Sequence, residues 1–385
     1  MNGESFGPYV LHECLGAGGM AIVHRATKEI GAGVVREVAL KRLLPQLAND
    51  KLFTEDFIRE AKLAAQLDHP NIVHILELGE VDGTYFIAME LVRGASLVQL
   101  MKQAYATKLT APIGVVLSLI CELCDALDYA ASGRGIYGQP LRIIHRDLTP
   151  SNLVITDEGR IKIIDFGVAK AMSGKFMTNT GMIKGKLGYM SPEALAGGNA
   201  IDGRTDIFSV GVVAWELLSG RRLFRGINEY EVITKIRSGE ISPPSMHHFE
   251  CPDELDAIVL KALARTREDR WQDAASMRAA LDKLRPHFRD GPPQVAAWKE
   301  SLIPSERPIR VETKTDVHES PTHVRSLAEG SIRQPSESME ITGVHSLTDE
   351  RTRNELPSGR AVTDDDDEAT TLDAVISGPS SESRD

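Results

Sequence analysis

Short hydrophobic runs dominate residues 9–91 of the chain. The runs at residues 22–26, 38–42, 73–80 and 84–91 are rich in branched and aromatic side chains, and glycine-containing turns separate them. Runs of this length and composition are typical of strands. The pattern therefore predicts a small antiparallel sheet.

One segment of this region has helical periodicity instead. Between residues 53 and 67, small and apolar side chains recur at helical spacing, whereas Glu55, Asp56 and Lys62 face elsewhere. This pattern predicts one amphipathic helix lying on the sheet. Its apolar stripe consists of Phe57, Ala61, Ala64, Ala65 and Leu67.

After Gly94 the hydrophobic positions follow a helical period. Residues 206–218 are apolar nearly all round, as expected for a helix at the centre of a larger lobe, and residues 255–263 and 274–284 predict two amphipathic helices. A further stripe consists of Ile113, Val116, Leu117, Ile120, Cys124 and Leu127. The expected fold class is α+β with two lobes, a small antiparallel-sheet lobe carrying one helix and a larger helical lobe.

The last part of the chain lacks the side chains of a core. Every Phe, Trp and Tyr lies at or before Trp298, and Ser, Thr, Pro and charged residues follow Arg285 without either period. We therefore predict an N-terminal extension at residues 1–8, one folded domain at residues 9–285 and a disordered acidic tail at residues 286–385.

Charge and cysteine usage narrow the classes of function. Residues 300–385 contain 19 Asp and Glu against 9 Lys and Arg, so they carry -10 of the formal charge of -11. The nearly neutral remainder lacks a basic surface, so nucleic acid is not an expected partner.

The four cysteines are too few for a disulfide framework, and Cys121 and Cys124 are interpreted as buried structural residues and not as zinc ligands. With no signal peptide and no membrane span expected, the protein should be cytoplasmic.

Two motifs in the sheet region could bind phosphate groups. Residues 15–23 read L-G-A-G-G-M-A-I-V, and a glycine-rich hairpin lets the backbone close over phosphates without obstruction by side chains. In V-A-L-K at residues 38–41, strand alternation places Lys41 beside small Ala39 on one face. Alone, the glycine-rich run is equally compatible with an ordinary hairpin turn, and a solvated edge lysine is the default interpretation of any single lysine.

Two polar motifs follow in the second lobe. Residues 145–152 read H-R-D-L-T-P-S-N, and residues 165–167 read D-F-G. Two carboxylates and an asparagine on loops can hold Mg²⁺ through oxygen ligands, and a spare carboxylate can orient an attacking hydroxyl. Each motif alone could be a turn, because Asp, Asn, Pro and Gly form turns.

In combination and in this order, these motifs are very specific. Over residues 9–285 the chain resembles the protein-kinase superfamily, and more closely the bacterial Hanks-type (eukaryotic-like) serine/threonine protein kinases. The resemblance implies a two-lobed protein kinase fold. It also implies ATP- and Mg²⁺-dependent transfer of the γ-phosphoryl group to Ser and Thr hydroxyls of protein substrates, including autophosphorylation, as in a signalling kinase.

The resemblance assigns the central roles. Lys41 would contact the α- and β-phosphates and pair with Glu60, and Asp147 would accept or orient the hydroxyl proton. Asn152 and Asp165 would hold the two Mg²⁺ ions. The loop over the phosphates comprises Leu15, Gly16, Ala17, Gly18, Gly19, Met20, Ala21, Ile22 and Val23.

Other residues would shape the nucleotide pocket and brace the large lobe. Met89 would lie at the back of the adenine pocket, and Glu90 to Val92 would form the hinge whose backbone meets adenine. The structural anchors implied by the resemblance are Glu193 with Arg270, and Asp206 with the backbone of the catalytic loop.

Three positions depart from the family pattern. Ala21 replaces the third glycine of the loop, and Thr149 stands where most Ser/Thr kinases carry a lysine that neutralises the γ-phosphate. Lys186 replaces the threonine of the substrate-binding segment G-T-x-x-Y, so selectivity for Ser and Thr rests mainly on Pro150 and its loop. Because Lys41 and the three magnesium and proton-transfer residues are all present, an active enzyme is expected.

Regulation is expected at two places. Arg146 could bind a phosphorylated residue of the activation segment, for which Ser173, Thr178 and Thr180 are the candidates, with Thr178 or Thr180 preferred. In the tail, Thr370 lies among acidic residues. The acidic run could simply be solubilising, or phosphorylated Thr370 could bind a forkhead-associated domain.

Two competing functions remain open on the sequence. A catalytically inactive scaffold of the same fold would be favoured by loss of a metal or phosphate ligand, and none is lost. A small-molecule phosphotransferase would lack the brace between the S-P-E segment and Arg270, and also the long activation segment.

Overall fold

The computed structural model describes residues 3–135, 138–166, 186–197 and 201–304. The described residues form a small and a large lobe, joined at residues 91–93 between two strands. The expected regulatory residues Ser173, Thr178, Thr180 and Thr370 lie outside the described ranges, as does Gly167.

The small lobe is an antiparallel sheet covered by a helix. The strands are β1 (Glu4–Phe6), β2 (Tyr9–Ala17), β3 (Ala21–Gly31), β4 (Val34–Leu43), β5 (Ile75–Val81) and β6 (Thr84–Glu90). They lie in the order β1-β2-β3-β4-β6-β5. Helix α1 (Lys51–Ala64) begins at Asp50, whose side chain accepts a hydrogen bond from the backbone N of Leu52 at 2.9 Å. It buries Phe57 and Ala61 among side chains of the sheet.

The large lobe is mostly helical. Helix α5 (Arg204–Ser219) is buried at every residue from 205 to 219, which matches the expectation of a central helix that is apolar nearly all round. A small antiparallel sheet carries the loops of the site, with strands β7 (Gly94–Ser96), β8 (Leu153–Thr156) and β9 (Ile161–Ile163). The helices are α2 (Leu97–Thr107), α3 (Ile113–Ser132), α4 (Pro192–Leu195), α5 (Arg204–Ser219), α6 (Glu229–Ser238), α7 (Asp253–Ala262), α8 (Ala274–Asp282) and α9 (Pro292–Leu302).

Helix α3 illustrates how acidic residues interrupt an apolar stripe. Glu122 accepts hydrogen bonds from Asn71 Nδ2 and from the backbone N of Ile161, both at 3.0 Å, so it ties α3 to β9. Cys121 and Cys124 are free and buried on the same helix, and burial raises the pKa of Cys121 to about 12. Across the described ranges, no helix is both long enough and apolar enough to span a bilayer.

The expected domain limits are corrected at both ends. Residues 4–6, placed above in an N-terminal extension, form β1 and pair with β2. Residues 292–302, placed above in the tail, form α9, which packs on the large lobe and buries Val295, Trp298 and Leu302. The proline pair at the start of α9 resembled linker sequence, but proline is well tolerated in the first turn of a helix.

An ion pair braces the large lobe. The guanidinium of Arg270 donates to both carboxylate oxygens of Glu193, at 2.6 and 2.8 Å, and also to three backbone carbonyls. Arg270 is 1% exposed, so these bonds satisfy a charge that would otherwise be costly to bury. The pair therefore joins α4 to the loop before α8, which is the contact implied by the family resemblance.

Candidate active site

Three charged side chains from distant segments meet between the lobes. Lys41 on β4 donates from Nζ to Glu60 Oε1 on α1 at 2.6 Å and to Asp165 Oδ1, just after β9, at 2.8 Å. Lys41 and Glu60 are buried, at 8% and 4% exposure. The structure thus has the expected pair of Lys41 with Glu60, and it adds Asp165 to the same cluster.

The cluster contains one cation and two carboxylates. Burial alone would lower the pKa of Lys41, but the carboxylates of Asp165 and Glu60 outweigh it and raise that pKa. Burial and the charge of Asp165 raise the pKa of Glu60 to about 8, against the opposing effect of Lys41. Glu60 and Asp165 therefore share the ammonium of Lys41, and a cation bound beside Asp165 would favour the ionised form of both carboxyl groups.

The raised pKa of Glu60 predicts a pH effect on stability. Because the pKa of Glu60 is raised from 4.5 to about 8, its contribution to stability is fully present below pH 4.5 and is lost as the pH rises through about 8. The melting temperature of wild type should therefore fall relative to that of Glu60→Gln between pH 5 and pH 9, without nucleotide or Mg²⁺. The control is Glu55→Gln, at an exposed position of the same helix. A pH-independent difference between wild type and Glu60→Gln would contradict the prediction.

The catalytic loop is fixed by a buried carboxylate. Asp206, in the first turn of α5, accepts hydrogen bonds from the backbone N of His145 at 2.7 Å and of Arg146 at 2.8 Å. Arg146 has φ 65°, in the left-handed region, where the backbone of a non-glycine residue is strained. The two hydrogen bonds that Asp206 accepts hold this conformation and so fix the backbone that leads into Asp147.

Asn152 and Asp165 lie at the same end of a short hairpin. Asn152 directly precedes β8, Asp165 follows β9, and the backbone N of Ile164 donates to the carbonyl of Asn152 at 2.9 Å. Asn152 Nδ2 donates to the carbonyl of Asp147 at 2.7 Å, which leaves its Oδ1 as the side-chain atom suited to a cation. The carboxylate of Asp165 and the amide oxygen of Asn152 fit Mg²⁺, which prefers oxygen ligands.

The glycine-rich loop is the turn between β2 and β3. The backbone N of Gly18 donates to the carbonyl of Ala21 at 2.8 Å and closes the turn. Ala21 is 5% exposed and packs within the small-lobe core, beside Leu43 and Phe57 in one cluster. The methyl group that Ala21 adds at the position of the third glycine is therefore accommodated inside the lobe.

The proposed adenine pocket lies along the joint between the lobes. Met89 is buried near the end of β6, and Val92 packs against the same small-lobe cluster. Glu90 is held from both sides, because its Oε1 accepts from Lys162 Nζ at 2.5 Å and its backbone N donates to the carbonyl of His74 at 3.0 Å. The bond from Lys162 was not expected, since these residues lie far apart in the sequence.

A second unexpected contact involves the residue expected to take up the proton. Lys186 Nζ donates to Asp147 Oδ2 at 2.8 Å, and Asn152 Nδ2 also approaches Oδ2 at 3.2 Å. The sequence signal for this contact is the lysine itself, in a position where the family usually has threonine. The pattern alone did not reveal that its ammonium reaches Asp147.

Comparison with known proteins decides the family. Residues 9–282 match the protein kinase domain family. The chain belongs to this family. Membership confirms the expected two-lobed kinase fold, and the family uses ATP and Mg²⁺, in agreement with the position of Lys41 beside Asp165 and with the oxygen ligands that Asn152 and Asp165 offer.

Bacterial kinases are among the relatives of this kinase. It is 42% identical over 280 residues to the tyrosine-protein kinase MasK of Myxococcus xanthus, covering 72% of this chain and 43% of the relative. It is 37% identical over 290 residues to the serine/threonine-protein kinase PknB of Mycolicibacterium smegmatis, covering 74% and 44%. The chain therefore spans less than half the length of these curated relatives.

A solved structure supports the same fold. The crystal structure of the Mycobacterium tuberculosis PknI kinase domain is similar to this kinase with a TM-score of 0.53 and 28% sequence identity. The similarity covers 74% of this chain and 98% of that domain. The resemblance to bacterial Hanks-type kinases is thereby confirmed.

Proposed function

We propose that this kinase transfers the γ-phosphoryl group of ATP to serine and threonine hydroxyls of proteins, including its own. The observation that carries the proposal is the convergence of Lys41, Glu60 and Asp165 with a catalytic loop that presents Asp147 and Asn152. Every residue of the expected phosphotransfer set is present, which argues against an inactive scaffold. The Glu193–Arg270 pair argues against a small-molecule phosphotransferase.

The proposed reaction is an in-line displacement. The substrate hydroxyl oxygen bonds to the γ-phosphorus while the bond to the β–γ bridging oxygen breaks, and ADP leaves with that electron pair. The hydroxyl proton passes to the carboxylate of Asp147, while Lys41 orients the phosphates of ATP from its position between Glu60 and Asp165. When bound by Asn152 and Asp165, Mg²⁺ neutralises phosphate charge.

A tyrosine hydroxyl is the alternative acceptor. The relative MasK is named a tyrosine-protein kinase, whereas PknB is named a serine/threonine-protein kinase. Serine and threonine are favoured because Pro150 is buried in the L-T-P-S-N loop, a catalytic-loop pattern different from that of tyrosine kinases. Tyrosine selectivity is therefore the second candidate.

Phosphoamino-acid analysis tests the proposal. The purified chain is incubated with labelled ATP and Mg²⁺, and label is expected on serine and threonine of the chain and of a basic protein substrate. Asp147→Asn serves as the background control and should show no label. Label confined to tyrosine would favour the alternative, and absence of label from wild type would overturn the kinase proposal.

Location, partners and regulation belong to the same proposal. We place the kinase in the cytoplasm. We propose that Arg146 binds the phosphate group of phosphorylated Thr178 or Thr180, and that phosphorylated Thr370 binds a forkhead-associated domain. The position of Arg146 supports its role in binding a phosphorylated threonine, because its backbone N donates a hydrogen bond to Asp206 next to the catalytic loop. Mass spectrometry after incubation with ATP tests the phosphorylation of Thr178 or Thr180, which unmodified threonines at full activity would exclude. A comparison of phosphorylated and plain tail peptides tests the binding of a forkhead-associated domain, which equal binding would exclude.

A further inference from the structure

Lys186 brings a positive charge to Asp147 from outside the catalytic loop. Its Nζ donates to Asp147 Oδ2 at 2.8 Å, and the two side chains are 39% and 14% exposed. The ion pair is therefore partly accessible to solvent and does not lie inside the hydrophobic core. In the proposed reaction Asp147 receives the hydroxyl proton, so the ammonium of Lys186 stands beside the reacting groups.

The catalytic loop does not supply this charge at its own position 149. Thr149 is neutral and 4% exposed, and its Oγ1 lies 2.8 Å from Ser151 Oγ. Its carbonyl accepts a hydrogen bond from the backbone N of Asn152 at 2.9 Å. Thr149 therefore stabilises the loop internally, and among the described residues Lys186 is the cation that is seen bonded to Asp147.

The backbone that carries Lys186 is anchored on the large lobe. Lys186 precedes a 3-10 turn, Leu187–Tyr189, and Tyr189 is 3% exposed. The hydroxyl of Tyr189 donates to Glu216 Oε2 at 2.7 Å, and its carbonyl accepts from Ser209 Oγ at 2.8 Å. Both partners lie on α5, the same helix that fixes the catalytic loop through Asp206. One buried helix thus positions Lys186 and Asp147 relative to each other.

We propose that Lys186 is a further catalytic residue, which supplies the positive charge between Asp147 and the transferring phosphoryl group. The inference rests on the proposed function. As the γ-phosphorus moves from the bridging oxygen of ADP to the substrate oxygen, its three other oxygens carry negative charge. The carboxylate of Asp147 repels them until it takes the proton. The ammonium of Lys186 offsets this repulsion and, because it is held in place beforehand, costs little reorganisation.

A charge-exchange experiment in the full chain tests the inference. Lys186→Met should lower kcat by about 10²-fold and change KM for ATP by less than about 3-fold, because a charge that acts in the transition state affects kcat first. Lys186→Arg should retain most activity. The double variant Thr149→Lys/Lys186→Thr, which exchanges the two side chains, should recover activity to within about 10-fold of wild type. Lys102→Met, at an exposed position of α2, is the control for loss of a lysine.

Each outcome separates this inference from the proposed function. Wild-type kcat in Lys186→Met would overturn the inference and leave the kinase proposal intact. A loss of kcat that neither Lys186→Arg nor the exchange variant recovers would also overturn it, because the shape of the side chain and not its charge would then matter. Melting temperatures within about 2 °C of wild type are expected for the single variants of Lys186 and Lys102, as for most changes of exposed side chains. The exchange variant also alters the buried Thr149, so its kcat is calculated per folded molecule. A wild-type chain that transfers no phosphate would overturn both proposals.

Discussion

Replacement of Lys41 by methionine is expected to lower kcat by about 10²- to 10³-fold and to destabilise the fold by about 3–5 kcal/mol. The ammonium of Lys41 is the shared partner of Glu60 and Asp165, at 2.6 and 2.8 Å. Without it, two carboxylates remain together in a buried region with no opposite charge from Lys41. Turnover measured with labelled ATP and unfolding measured by denaturant test the two effects separately.

A double variant distinguishes the two effects of Lys41. Lys41→Met/Glu60→Gln removes the second carboxylate, so it should recover about half of the lost stability, because the repulsion with Asp165 disappears. It should recover none of the activity, because the contact with the ATP phosphates is still missing. Recovery of activity in the double variant, or full activity in Lys41→Met, would contradict the role proposed for Lys41.

A chain that ends at residue 285 should unfold about 15 °C below a chain that ends at residue 304. The missing helix α9 buries Val295, Trp298 and Leu302, at 0%, 6% and 5% exposure. Each such side chain contributes about 1.5–3 kcal/mol, and about 2–4 °C of melting temperature accompanies each kcal/mol in domains approaching this size. Thermal unfolding of the two purified chains measures the difference.

Point variants in α9 test the cause of that difference. Trp298→Ala in the full chain should cost about 3–5 kcal/mol, because it leaves a cavity against the large-lobe core. Ala297→Ser, on the exposed face of the same helix, should change stability by less than about 0.5 kcal/mol. Equal melting temperatures for the chains ending at residues 285 and 304 would show that α9 contributes little to the fold.

The local hydrophobic pattern was insufficient to predict where the folded region begins and ends. Helix α9 begins with two prolines and has only a few large apolar residues, so its sequence resembled a linker. Its stability comes from tertiary contacts, including Lys299 Nζ with Asp157 Oδ1 at 2.5 Å near the turn between β8 and β9. Such contacts have no sequence period, because Lys299 and Asp157 lie in different elements.

Ala21 and Lys186 show the same limit at the active site. The sequence marked both as departures from the family pattern, but it did not show where the methyl group of Ala21 lies. Only the fold shows that this methyl faces the small-lobe core. Likewise, Asp147 and Lys186 are separated by 39 positions in the sequence, and only the folded chain brings them together as an ion pair.

The sequence by itself determined the two lobes, the central buried helix and the order of the phosphotransfer motifs, because hydrophobic period and motif spacing are local properties of the chain. It also indicated the pairing of Lys41 with Glu60, through resemblance to a family. The tertiary structure alone decided that α9 completes the large lobe, that Asp165 shares the cation of Lys41, and that Lys186 reaches Asp147. These depend on which distant surfaces meet, and that is set by the packing of the whole core.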